Sequence, residues 1–273
     1  MAVSKEFYKL AEGVTATELA KVIDADAIVG PADTVIETIL RFSNVVAGAL
    51  AFQSNAGLAR DSSINSAILI VTRESVEFLE KTNSCLVVES PRVSFAVALE
   101  AMVKTFPDNI NQSGVSADAK VSDGVRIHPS ATVMEGVQIG RNTTIGPGAV
   151  IYHSVQIGDN CCIGANATLS YSIIGDNVDI GSGTVIGGAG FGFEMTASGP
   201  VKMPHIGLVR VGSSVMIGSG CAIDRGSLGD TSIGSNVMMD NLCHVAHNVV
   251  IGSNSIIAGQ AGISGSVHIG ENV

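Results

Sequence analysis

"IGRNTTIGPGAVIYHSVQIGDNCCIGANATL", residues 139–169, places an aliphatic side chain at every sixth position: Ile139, Ile145, Ile151, Ile157, Ile163 and Leu169. A period of six matches neither an α-helix nor a half-buried strand; it is the period of a parallel β-helix, in which each hexad supplies one short strand and one corner. Three hexads then close one coil of 18 residues. The count extends outward in both directions. Upstream it includes Val115, Val121, Ile127 and Val133; downstream it slips by one and resumes at Ile174, Ile180 and Ile186. It breaks from Gly187 to Arg210, returns at Val211, Ile217 and Ile223, and jumps ten residues to Ile233. It then runs through Met239, Val245, Ile251, Ile257, Ile263 and Ile269. Lead residues are predicted to point inward and stack coil on coil. Glycine follows the lead residue twelve times and is predicted to supply positive φ at tight corners. The fifth position is small, and Cys161, Cys221 and Cys243 fall on it, which points to packing rather than chemistry.

Before the repeats, residues 1–104 read as a small α/β domain. Thr15 with Glu18 three residues on forms a capping box ahead of a helix. Ser90 and Pro91 open a second helix, as N-cap and first helical position. "GALAFQ" and "SAILIV" are apolar runs of strand length. Residues 105–114, "TFPDNINQSG", read as a linker, and 115–273 as the β-helix. The fold class is therefore mainly β, a parallel β-helix of hexapeptide repeats preceded by a small α/β domain.

Composition narrows the function. The 273 residues carry a net charge of −10, which disfavours unaided binding to nucleic acid or an anionic membrane. No apolar run is long enough for a membrane span or a signal peptide. Five scattered cysteines build neither a disulfide framework nor a CxxC metal site, so a reduced, cytoplasmic setting is expected.

The chemistry-bearing stretch is "MDNLCHVAHNVVIG", residues 239–252. Unbroken register from Ile233 sets His247 beneath Gly265, one coil up, with Asp240 near the preceding corner of the same coil. His247 holds the third position of its hexad and should face outward. An outward imidazole with a carboxylate in reach and a glycine N–H above has the parts for acyl transfer. The plain alternative is a solvated corner histidine. Zinc would need a third ligand beyond His244 and His247, and stacking offers no histidine at 226, 229, 262 or 265, so no metal is expected. The interruption 187–207, "GGAGFGFEMTASGPVKMPHIG", is too long for a corner, and a loop that breaks a solenoid often carries function. Its Phe191 and Phe193 are candidates to line an acyl groove over a neighbouring subunit, Lys202 is a candidate phosphate contact, and His205 reads equally as structural or substrate-contacting.

"IGGAGFGFE", "IDRGSLGDTSIG", "MDNLCHVAHNVVIG" and "AGISGSVHIG" together resemble the UDP-3-O-(3-hydroxyacyl)glucosamine N-acyltransferases of lipid A biosynthesis in Gram-negative bacteria. The resemblance implies a homotrimer of left-handed β-helices with active sites between subunits. It implies transfer of a 3-hydroxyacyl group from the phosphopantetheine of acyl carrier protein to the 2-amino group of UDP-3-O-acylglucosamine, with no cofactor of the enzyme's own. Carried onto this chain, His247 is the general base, Asp240 orients its imidazole, Asn241 contacts substrate, and the Gly265 amide steadies the oxyanion. Phe52 would stack on uracil and Asn55 would contact the nucleotide; without the resemblance Phe52 reads as a core aromatic at a strand end and Asn55 as a turn residue. The resemblance also implies further hexads and a helical tail beyond Val273, so the chain reads as truncated. Competing readings are another hexapeptide-repeat sugar-nucleotide acyl- or acetyltransferase, such as an O-acyltransferase, and a non-catalytic β-helix scaffold.

Overall fold

A computed structural model describes residues 4–60, 64–79, 81–105 and 113–273. Contacts divide the chain into two compact units, Met1–Thr105 with Gly192–Pro204, and Phe106–Phe191 with His205–Val273. The hairpin inside the long interruption thus belongs with the N-terminal unit.

In the first unit a five-stranded sheet runs in the order Ala27–Val29, Ser84–Val87, Ile68–Val71, Ala49–Gln53, Thr38–Ile39. All its pairings are parallel except the first. The strands Ile68–Val71 and Ser84–Val87 are buried on every residue, as expected where both faces of a parallel sheet are covered. Helix Ala16–Val22 starts at the Thr15–Glu18 capping box, both halves of which are formed. Helix Pro91–Met102 has Pro at its start, and buries Phe95, Ala98, Leu99 and Met102. Val103–Thr105 pairs with Tyr8–Leu10, so Thr105 ends a strand rather than opening a linker; residues 106–112 of the expected linker lie outside the described residues. Strands Phe193–Thr196 and Gly199–Lys202 form an antiparallel hairpin in this unit, tied by an Arg92–Glu194 ion pair of 2.7 Å.

The second unit is a parallel β-helix with three faces. Face one has seven strands and includes Ala222–Arg225, His244–Val245 and Gly262–Ile263. Face two has eight, among them Thr231–Ile233, Val250–Ile251 and His268–Ile269; face three has seven, among them Met216–Ile217, Met238–Met239 and Ile256–Ile257. Lead residues from Val133 to Ile263 are buried and pair coil to coil, as in Val245↔Ile263. The buried cysteines behave as packing groups with weak donors: Cys161 Sγ donates to Gly175 O, Cys221 Sγ to Asp240 O and Cys243 Sγ to Ala258 O.

The corner geometry differs from expectation in one respect. Positive φ belongs to the fourth hexad position, filled mostly by asparagine (Asn142, Asn160, Asn166, Asn177, Asn236, Asn248 and Asn254 among them), glycine or serine, and also by Leu242 and Gln260. Asparagine tolerates this region because its short side chain bonds locally. The glycine after the lead residue answers a different demand. A Cβ at Gly146 would lie 2.9 Å from Ala165 N and Ile163 O, so the next coil's backbone leaves no room for a side chain.

Candidate functional site

The corner between faces one and two carries His247. Its strand pairing sets His244 beside Gly262 and Val245 beside Ile263, and the Ser266 N–H donates to His247 O at 2.9 Å. Gly265 therefore lies against the imidazole: a Cβ built there would sit 2.8 Å from both Cε1 and Nε2. The ring is half-buried and projects outside the stacked lead residues.

His247 Nδ1 lies 3.1 Å from Asn248 Oδ1. The orientation of that amide is fixed at both ends. Asn248 Nδ2 donates to Gly229 O at 3.0 Å, and Oδ1 accepts from the Ser227 N–H at 3.0 Å and the Ser227 hydroxyl at 2.8 Å. A carbonyl can only accept and a backbone N–H can only donate, so the amide cannot be flipped. Facing an acceptor, Nδ1 carries the proton in the neutral ring, which leaves the lone pair on Nε2 at the Gly265 side. The Asn248 N–H donates to Thr231 Oγ1 at 2.8 Å, completing a buried network.

Ser227 and Gly229 come from the ten-residue jump between Ile223 and Ile233. That insertion closes on itself, and Asp230 anchors it by accepting from the Leu208 N–H and pairing with Arg210. Sequence reading missed Asn248. Its signal was the AHN triplet at a fourth hexad position directly above a break in register.

Asp240 does not orient the imidazole within one chain. It sits at the preceding corner, between faces three and one, where Oδ1 accepts from Asn241 Nδ2 at 2.9 Å; Oδ2 would meet a Cβ on Gly259 at 2.7 Å. Asn241 is engaged there too, with Oδ1 accepting from the Ser219 N–H at 2.8 Å. A whole strand, His244–Val245, separates this corner from His247. The carboxylate on the His247 side is Asp224, missed by sequence spacing because it enters through the adjacent coil. Asp224 Oδ2 lies 3.9 Å from His244 Nε2. Burial pushes its carboxyl above the ordinary range, and the fields of His244, His247 and Arg225 only partly counter that.

The opposite side of His247 is closed by the start and end of the interruption. A Cβ on Gly190 would lie 2.8 Å from His247 Cβ, 3.1 Å from its Cδ2 and 2.9 Å from His205 Nε2. The buried His205 ring meets His247 edge-on, 5.0 Å between centroids. Phe191 is 86% exposed, and Phe193 belongs to the hairpin of the other unit.

In the first unit, Phe52 is half-buried on strand Ala49–Gln53 and packs on Phe95, ring centroids 4.7 Å apart. Asn55 is exposed, and its Oδ1 accepts from the Gly57 N–H at 2.8 Å ahead of helix Ala56–Arg60. Among the described residues no group of three or more His, Cys, Asp or Glu side chains is arranged to hold a metal ion, and no helix is long and apolar enough to cross a membrane.

The family model for bacterial transferase hexapeptide repeats matches residues 118–153, 139–170, 155–188 and 230–265. A UDP-3-O-acylglucosamine N-acyltransferase of Coxiella burnetii is 39% identical over 258 residues, covering 92% of this chain and 74% of the relative. The chain belongs to the UDP-3-O-acylglucosamine N-acyltransferase family. A family member from Helicobacter pylori is 46% identical over 221 residues, and one from Caulobacter vibrioides 39% over 205. The chain spans 63% and 60% of the length of these two relatives.

Proposed function

We propose that the chain is an N-acyltransferase that moves a 3-hydroxyacyl group from the phosphopantetheine thioester of acyl carrier protein to the 2-amino group of UDP-3-O-acylglucosamine, in lipid A synthesis in the cytoplasm. The observation that carries this reading is the His247 imidazole, with Nδ1 pinned by Asn248 and Nε2 turned toward Gly265. The amine nitrogen attacks the thioester carbonyl while His247 Nε2 takes its proton. The Gly265 amide is assigned to the oxyanion of the tetrahedral intermediate. Collapse breaks the C–S bond, and the imidazolium returns the proton to the departing sulfur. No cofactor or metal of the protein's own enters the scheme.

Uracil is assigned to the open side of Phe52, whose other side rests on Phe95. Asn55, Asn241, Phe191 and Phe193 are assigned to substrate contact. The working form is a homotrimer. Its support is an exposed apolar ladder on face three, Met216, Met238 and Ile256, in register over three coils. In such an assembly Asp240 of one chain can serve a site completed by another.

The test is turnover with 3-hydroxyacyl carrier protein and UDP-3-O-acylglucosamine. His247→Ala should lower kcat by about 10²–10⁴-fold, the span of a general base, with assembly unchanged. A variant as active as the parent would remove His247 as the base, and a parent with no turnover would leave only a scaffold.

A further inference from the structure

Arg225 ends strand Ala222–Arg225, immediately after Asp224 on the outer side of the His247 corner. Its guanidinium bonds both ends of the long interruption at once. Nη1 donates to Gly187 O at 2.8 Å, where the chain leaves the repeat, and Nε donates to His205 O at 2.9 Å, where it returns. The cation lies 4.2 Å above the centre of the Tyr171 ring, which fixes the plane of the fork. At the first bonded carbonyl the ladder itself is irregular: Ile186 pairs with Ile223, then Gly188 pairs with Asp224 across a register shift. A bulge of this kind leaves the backbone underdetermined by sheet pairing alone. What it positions is Gly190 and His205, the two groups packed on the His247 ring.

We infer that Arg225 is a positioning residue for His247: by joining Gly187 O to His205 O it seats Gly190 and the His205 ring against the imidazole, which is thereby boxed between Gly190 and Gly265. This inference rests on His247 being the base. A lysine cannot replace Arg225, because a single ammonium lacks the planar fork that reaches two carbonyls in one plane. Nor can Gly190 accept a side chain without a shift, since its Cβ would press on His247 Cβ at 2.8 Å.

The experiment compares Arg225→Lys, Arg225→Ala, Gly190→Ala, the double variant Arg225→Ala with Gly190→Ala, and His247→Ala, all in the full chain. Each single change at 225 or 190 should lower kcat by roughly 10- to 100-fold, the scale of a small misplacement of a catalytic group. KM for the sugar nucleotide should stay within about 3-fold, because ground-state binding is untouched. The double variant should be no worse than the poorer single within about 3-fold, since both act through the same ring. The acid limb of the kcat–pH profile should move as well, whereas a merely structural role lowers the amount of folded enzyme and leaves that midpoint in place. Should Arg225→Ala not fold, Arg225→Lys, which keeps a cation over Tyr171, decides the matter. Parent-like kcat in Arg225→Lys, or losses that multiply in the double variant, would overturn the inference. Full turnover in His247→Ala would instead remove the base assignment itself.

Discussion

Asn248 and Asn254 are the same residue type at the same hexad position, both at φ +61°, on two different edges of one prism. Asn254 belongs to the edge between faces two and three, where asparagines stack: Asn236 Nδ2 donates to Asn254 Oδ1 at 3.2 Å, as Asn142 does to Asn160 at 3.3 Å lower down. These amides are exposed and their bonds run along the stack. Asn248 occupies the edge between faces one and two, is only 9% exposed, and spends its amide on Ser227, Gly229 and His247. Corner conformation alone does not make a site. The insertion 226–230 does, because it sets a hydroxyl, an N–H and a carbonyl beneath one corner amide that elsewhere would meet only its copy.

The sharpest way to break that comparison is to truncate both asparagines. Asn248→Ala removes the acceptor for three donors and leaves Ser227 and His247 Nδ1 unsatisfied; such buried losses cost about 1–3 kcal/mol. The imidazole also loses the partner that fixes its tautomer, so kcat should fall by roughly 10²-fold, a misplacement-scale loss. Asn254→Ala should leave kcat unchanged and shift stability by no more than about 0.5 kcal/mol beyond the cost of its φ, as exposed positions do. Denaturant midpoints and steady-state rates on the two variants check this. Equal effects at 248 and 254 would mean that the corner fold, not the network, sets the behaviour at His247.

The same contrast explains what could be read from the sequence. The β-helix was legible because burial of a lead residue every sixth position leaves a pattern that no local propensity masks, and Gly265 over His247 follows from counting alone where the count is unbroken. Asn248 was not legible, since its partners come from a stretch where the count fails, and a broken register hides which residue lies beneath which. Asp240 was drawn to His247 by closeness along the chain; seven residues in a hexad solenoid cross a face and end at another edge. Glycine after the lead residue suggested turn flexibility, yet Gly146 is there because the next coil is too near. The hairpin within 187–207 gave no period at all, so nothing in its spacing assigned it to the first unit.

A second probe concerns the charge beside the corner. Asp224 has 15% side-chain exposure, and burial raises its carboxyl pKa above the usual value. A carboxyl raised on folding contributes stability while protonated and loses it as pH climbs through the raised value. At neutral pH, therefore, the parent carries a penalty that Asp224→Asn lacks. The variant should melt higher than the parent at pH 7, and the gap should close as pH falls below about 4, the ordinary carboxylate value. A parent that melts higher at pH 7 would mean that the attraction of His244 and His247 outweighs burial.

The smallest expected effect tests the corner rule itself. Leu242 holds the fourth position at the edge between faces three and one, with φ +60° and its side chain exposed. A branched side chain in this region costs roughly 1–2 kcal/mol relative to residues that tolerate it, and most fourth positions avoid that cost with asparagine, glycine or serine. Leu242 recovers part of it by lying over Gly220, where a Cβ would come within 2.9 Å of Leu242 Cδ2. Leu242→Asn keeps a side chain at the corner and adds the local bonding that favours positive φ. It should stabilise the protein by about 1 kcal/mol, or roughly 2–4 °C in Tm for a domain of this size, with kcat unchanged. If melting instead falls, the Leu242–Gly220 contact outweighs backbone strain, and the asparagines of the other edges are there for their stacked amides rather than for the corner they occupy.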